Sequence, residues 1–150
     1  MDVERRQLGP QHYVYVDVVT PMDAIGEAMG PAFAKVFGHL AEAGITPRSM
    51  PMSVYSGMSD PLRFRVGAIV SDVDAARAAS PLAADILPSE ALFTTHVGPY
   101  SELGQTHQAL WSYMEDESIP ALMPVWEIYV DDPGRVEEGA LRTEIYRALV

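Results

Sequence analysis

The sequence repeats itself, and this constrains the fold more than any other feature. Leu8-Gly9-Pro10 aligns with Ile86-Leu87-Pro88. Pro21 then falls on Pro99, Ile25 on Leu103 and Gly26 on Gly104. Val19-Thr20-Pro21-Met22 matches Val97-Gly98-Pro99-Tyr100, and Ile45-Thr46-Pro47 matches Ile119-Pro120 after a small deletion. Met52-Ser53-Val54-Tyr55 matches Trp126-Glu127-Ile128-Tyr129, and Leu62-Arg63-Phe64-Arg65-Val66 matches Leu141-Arg142-Thr143-Glu144-Ile145. No single match is strong; their shared order along both halves is the signal. Such a chain is expected to fold as two copies of one supersecondary unit that together bury a core.

Each copy reads as strand, helix, strand, strand. From His12 to Val19, Val14, Val16 and Val18 alternate with Tyr13, Tyr15 and Asp17, which is strand periodicity. Thr20 as N-cap, Pro21 at the first helical position and Asp23 in the first turn predict a helix start. Ile25, Met29, Phe33, Val36, Phe37 and Leu40 continue at helical spacing until Gly44. Met52 to Tyr55 and Leu62 to Val70 predict a closing hairpin. The second copy has a strand from Ala91 to Val97 and a helix carrying Leu103, His107, Leu110, Trp111 and Met114 on one stripe. Its last two strands are expected from Val125 to Val130 and from Leu141 to Leu149. Ser71 to Ser80, with Asp72 as a cap and Ala75, Ala76, Ala78 and Ala79 as helix formers, predicts a short linking helix.

These elements predict one α+β domain over residues 1–150, with repeat one at about 1–70, a linker helix at 71–80 and repeat two at about 81–150. Tandem βαββ units related by a pseudo-twofold form an antiparallel sheet with helices on one face. A ligand cleft is expected on the other face, at the junction of the halves.

Strand parity then assigns side chains. If Trp126, Ile128 and Val130 are the apolar set under the helix, Glu127 and Tyr129 turn away from it into the cleft. By the same logic Glu144 and Tyr146 flank the apolar anchor Ile145 and share that face. The first-half counterparts are Ser53 with Tyr55, and Arg65 with Gly67, so the acid is one-sided. A carboxylate among aromatic rings attracts lipophilic cations, with cation–π contacts of about 0.5–2 kcal/mol each. Desolvated, the same acid could serve as a general acid or base. The competing structural readings are solvated strand glutamates, or an ion pair between one of them and Arg65. His107 on the apolar stripe reads as a packing residue, and His96 reads as an ordinary strand position with a lesser claim to the cleft edge. Met50 and Met52 read as core filler or an adaptable wall. Glu115-Asp116-Glu117 reads as solvated surface.

Composition narrows the function classes. The net charge of −11 opposes direct binding to a phosphate backbone and favours cationic ligands or basic partners, although it equally serves solubility. The absence of cysteine removes thiolate catalysis and disulfides. No histidine stands in metal-ligand spacing, and no phosphate loop, dinucleotide fingerprint or nucleophile elbow occurs, so neither metal nor cofactor is expected. No apolar run approaches the roughly 20 residues of a membrane span, and Met1 to Pro10 has no signal-peptide character, so a cytoplasmic location is expected.

The motifs His96-Val97-Gly98-Pro99-Tyr100, Trp111, Met123-Pro124-Val125-Trp126-Glu127-Ile128-Tyr129 with Asp131-Asp132-Pro133, and Arg142-Thr143-Glu144-Ile145-Tyr146 resemble the GyrI-like family. This is the effector-binding domain of drug-responsive bacterial regulators, and the resemblance covers nearly the whole chain. It implies a tandem βαββ fold whose cleft takes varied, often cationic and aromatic compounds. It places the family's pocket acid at Glu127, and the closing-strand motif at Glu144 and Tyr146. Tyr129, Tyr55, Tyr15, Tyr100 and Trp126 complete the expected ligand contacts. Glu127 and Tyr146 are the candidates for catalysis, motivated by the two carboxylates on neighbouring strands, and a subset of the family resembles hydrolases of strained cyclopropane-containing toxins. One member inhibits DNA gyrase, so gyrase or a separate DNA-binding chain is a candidate protein partner. The first strand begins near His12, which leaves too little chain for a helix-turn-helix, and a stand-alone binding module is therefore the expectation.

Overall fold

The structure is a computed structural model that describes residues 1–78 and 81–150. Its chain order is β1 (Glu4–Gln7), β2 (Gln11–Thr20), α1 (Ile25–Glu42), β3 (Met52–Tyr55), β4 (Leu62–Val70), α2 (Asp72–Arg77), β5 (Ala83–Leu87), β6 (Glu90–Val97), α3 (Leu103–Asp116), β7 (Val125–Tyr129) and β8 (Arg142–Ala148). Short 3-10 turns at Met22–Ala24 and Tyr100–Glu102 lead into α1 and α3, and a third, Glu138–Ala140, precedes β8.

All eight strands join one antiparallel sheet in the order β1-β6-β8-β7-β3-β4-β2-β5. Exchanging each strand for its repeat counterpart (β1 with β5, β2 with β6, β3 with β7, β4 with β8) reverses this order, which is the signature of a twofold. The axis passes through the β3–β7 pair, where Ser53 stands opposite Glu127. Each half also lends its leading strand to the other: β1 pairs with β6, and β5 with β2. The α+β class, the antiparallel sheet and the twofold repetition are those expected.

Several local expectations change. β1 and β5 lie beyond the sequence expectations; Glu-Arg-Arg-Gln and Ala-Ala-Asp-Ile-Leu are mostly exposed edge strands without apolar alternation. The chain enters α1 through a 3-10 turn rather than through a Thr20 cap, and the Thr20 hydroxyl instead reaches the Pro21 carbonyl at 3.2 Å. Gly44 does end the helix in the left-handed region, at φ 68°. In the linker, Ser71 rather than Asp72 caps α2, accepting from Asp74 N at 3.0 Å. Ala79 and Ser80 of the expected linker helix lie outside the described residues.

Both faces of the sheet are buried. On the helix side, Val14, Ala68 and Val70 pack with Val36 and Leu40 of α1, and Leu62, Phe64, Val66 and Tyr55 pack with Ile25, Met29 and Phe33. On the opposite side the curled sheet encloses Tyr13, Tyr15, Met52, Val54, Phe93, Trp126, Ile128 and Tyr146. There Trp126 stacks on Tyr146 with ring centroids 5.2 Å apart and planes 2° from parallel. Arg6 lies 3.5 Å over the Phe93 ring and Arg65 lies 4.1 Å over the Tyr15 ring, so two guanidinium groups roof the aromatic core.

Candidate functional site

The double burial corrects the facing inferred from parity. Trp126 is fully buried, but within the core away from the helices. Val125, Glu127 and Tyr129 consequently face α1 and α3, and the hollow they line lies on the helix side of the sheet. Register separates the two Glu-x-Tyr units as well. Glu127 pairs with Ile145, and Glu144 pairs with Ile128, so the two glutamates occupy opposite faces. The expectation that Glu144 and Tyr146 share a surface with Glu127 is thereby corrected. Periodicity names which residues share a face; it cannot say which face meets a helix when both are apolar.

The hollow is a cavity of about 810 Å³ between the N-terminal parts of α1 and α3. Ile25, Met29 and Phe33 of α1 form one wall, and Tyr100 and Leu103 form the other. Tyr55, Glu127 and Tyr129 form the floor, while Met50, Pro51, Asp131, Asp132 and Pro133 form the rim. Phe33 and Tyr100 both meet Tyr129 edge to face, at centroid distances of 5.9 and 5.7 Å. Of the residues expected at the site, Glu127, Tyr129, Tyr55 and Tyr100 come together here. Tyr15, Trp126 and Tyr146 lie in the opposite aromatic core. Glu144 lies on that opposite side too, accepting from the Tyr146 hydroxyl at 3.1 Å. Met50 lines the rim, whereas Met52 is core.

Glu127 is 5 % exposed and is held by a hydrogen-bond chain. Its Oε1 accepts from the Tyr129 hydroxyl at 2.7 Å. That hydroxyl has one proton to give, so the Ser53 hydroxyl, 2.6 Å away, donates to the Tyr129 oxygen. Oε2 lies 2.6 Å from His107 Nε2 on α3. Arg65, the alternative partner, is engaged on the other face by Asp85 at 2.7 Å and by the Tyr13 hydroxyl at 2.8 Å. Among the described residues no arginine or lysine reaches the carboxylate; its partners are the Tyr129 hydroxyl and the His107 imidazole. Burial, then the neighbouring Glu127 charge, holds the Tyr129 phenol well above its ordinary pKa. The same two causes, in the same order, push Tyr55 up to about 12. Both phenols thus remain neutral hydrogen-bond donors over the physiological range. At the rim, Asp131 is engaged by Arg142 at 2.9 Å and held below the usual carboxylate range by that hydrogen bond.

His107, read from helical periodicity as a packing residue, is partly buried on the inward stripe of α3 and also contacts Glu127, a partner that spacing did not name. The repeat alignment held the missing signal: it sets His107 on Met29, which lines the cavity from α1. His96 is not at the cavity; its ring contacts Thr106 Oγ1 at 2.6 Å and the Pro99 carbonyl at 3.1 Å. Among the described residues, no group of three His, Asp or Glu side chains is placed to hold a metal ion. No helix among them is long and apolar enough to cross a membrane.

Solved structures share this architecture. The EcmrR C-terminal domain superposes with a TM-score of 0.81 at 15% identity, covering 98% of this chain and 96% of that one. SAV2435 bound to tetraphenylphosphonium gives 0.68 at 13% identity, covering 100% and 94%. A hydrolase encoded by lin2189 from Listeria innocua gives 0.64 at 16% identity, covering 99% and 91%. Comparison with curated protein sequences finds no match. The family model for the GyrI-like small molecule binding domain matches residues 1–149, and the chain therefore belongs to that family.

Proposed function

We propose that the cavity between α1 and α3 binds flat or propeller-shaped aromatic cations, with Glu127 as the counter-charge and Tyr55, Tyr100, Tyr129 and Phe33 as the contacting rings. The observation that carries this reading is a buried carboxylate on an apolar floor, with no arginine or lysine bonded to it among the described residues. An isolated buried anion is costly to desolvate, and a ligand cation that enters with its own apolar shell offsets that cost. The rings add about 0.5–2 kcal/mol per well-placed cation–π contact. SAV2435 is bound to tetraphenylphosphonium, which makes that ion the natural probe.

Glu127→Gln preserves shape and most hydrogen bonding while removing the charge. Titration calorimetry with tetraphenylphosphonium is expected to show binding weakened at least about tenfold, or about 1.4 kcal/mol. Equal affinity in the two proteins contradicts the role given to Glu127.

One observation favours a hydrolytic reading. The Glu127–His107 contact places an acid and a base together at the floor of an open cavity, an arrangement suited to moving a proton to or from a bound electrophile. In this reading Tyr129 orients the substrate, and Tyr146, on the far face, takes no part. Product formation from a strained cyclopropane substrate, lost in Glu127→Gln, favours hydrolysis over simple binding.

A further inference from the structure

The one acid at the floor of the cavity shares a hydrogen bond with the one imidazole that reaches it among the described residues. Met29 and His107 occupy equivalent positions of α1 and α3, around an axis where Ser53 pairs with Glu127. A thioether on one side and an imidazole on the other make the repeat asymmetric where a ligand's charge would rest. The His107 side chain is 26% exposed against 7% for Glu127, so protons exchange with solvent through the histidine.

We propose that His107 determines the ligand charge the cavity accepts: monocations when its imidazole is neutral, uncharged aromatic molecules when the imidazolium pairs with Glu127. This rests on the cation-binding reading above. With a neutral imidazole, Nε2–H donates to Oε2 at 2.6 Å and the floor carries one net negative charge. With an imidazolium, the pair is electroneutral and an entering cation must compete for the same carboxylate oxygen. Binding a cation therefore releases a proton from His107 to solvent, and protonating His107 expels the cation.

The pair is to be read near neutral pH against the other charged and titratable groups packed around it. From β7 and β3 come the phenols Tyr129 and Tyr55, both held neutral far above that range. From β8 comes Arg147, buried beneath α3 with its guanidinium 5.3 Å from the Trp111 ring and fixed in charge. β6 contributes His96, whose ring nitrogens face Thr106 and the Pro99 carbonyl. α1 presents only uncharged Ile25, Met29 and Phe33. At the rim stand Asp131, held by Arg142, and Asp132. On α3 itself the acids Glu115 and Asp116 lie two turns further on.

The test is calorimetry of tetraphenylphosphonium binding from about pH 5 to 8, in buffers of different ionisation enthalpy, which counts protons released. Triphenylphosphine oxide serves as the neutral counterpart. The wild type is expected to lose cation affinity by up to about tenfold per pH unit where His107 is protonated, while releasing up to about one proton. The oxide is expected to bind as well or better at the acid end. His107→Gln, which keeps an N–H donor but cannot ionise, is expected to hold a constant cation affinity with no proton released. Should that variant not fold, the proton count of the wild type decides alone. Cation binding without proton release and without pH dependence overturns the inference but leaves the cation-binding reading intact. Proton release that persists in folded His107→Gln overturns it too. No binding of the cation at any pH removes both.

Discussion

At the residue scale, the floor of the cavity is a chain of neutral donors ending on one carboxylate. Ser53 donates to Tyr129, and Tyr129 donates to Glu127. The chain has a consequence for stability at high pH. Tyr55 and Tyr129 have pKa values raised in the folded state, so they stay protonated where an unfolded tyrosine has begun to ionise. Above about pH 10 the unfolded state binds fewer protons than the native state, and stability falls with rising pH. The contribution of Tyr55 is fully present below pH 10 and is lost toward about 12. Denaturant unfolding followed between pH 9 and 12 should show this decline, and it should be shallower in Tyr55→Phe. An equal slope in the two proteins contradicts the account of Tyr55.

At the scale of elements, the sheet depends on one close approach. Gly67 of β4 sits opposite Tyr15 of β2 and Met52 of β3. A Cβ at Gly67 would run into the Val14 carbonyl oxygen, which is backbone and cannot swing aside. Gly67→Ala is therefore expected to destabilise the protein by about 2 kcal/mol or more, measured as a lower midpoint of chemical unfolding. A neutral substitution would mean that β2 and β4 separate more easily than their nine-residue ladder suggests.

The same elements show how far sequence reasoning reaches. Met52–Tyr55 and Leu62–Val70 are read correctly because each is a short run of strand formers between clear turns. β1 and β5 escape because each pairs with the other repeat, and their mostly exposed residues show no alternation of apolar and polar side chains. Trp126 shows the harder limit. Its burial is legible from its chemistry, yet a sheet buried on both faces offers two places for it, and the helix side was the wrong one. From that single inversion follow the displacement of the cleft to the helix side and the separation of Glu144 from Glu127. Glu127 itself survives the inversion, because Tyr129, Tyr55 and Tyr100 move with it.

For the whole molecule, the twofold repetition makes the frame, and its breaking makes the site. Matching strands from both halves build the floor, and α1 and α3, equivalent elements of the repeat, flank it. Chemistry enters where the halves differ: Glu127 in place of Ser53, and His107 in place of Met29. The net charge of −11 adds a field that favours approach of a cation to this acid. The most direct measurement of the central claim is a crystal structure of the complex with tetraphenylphosphonium. The account predicts the ion between α1 and α3, its phenyl rings against Phe33, Tyr100 and Tyr129, and its phosphorus nearer to Glu127 than to any other carboxylate. An ion seated instead on the opposite face of the sheet, beside Glu144 and Tyr146, would contradict it.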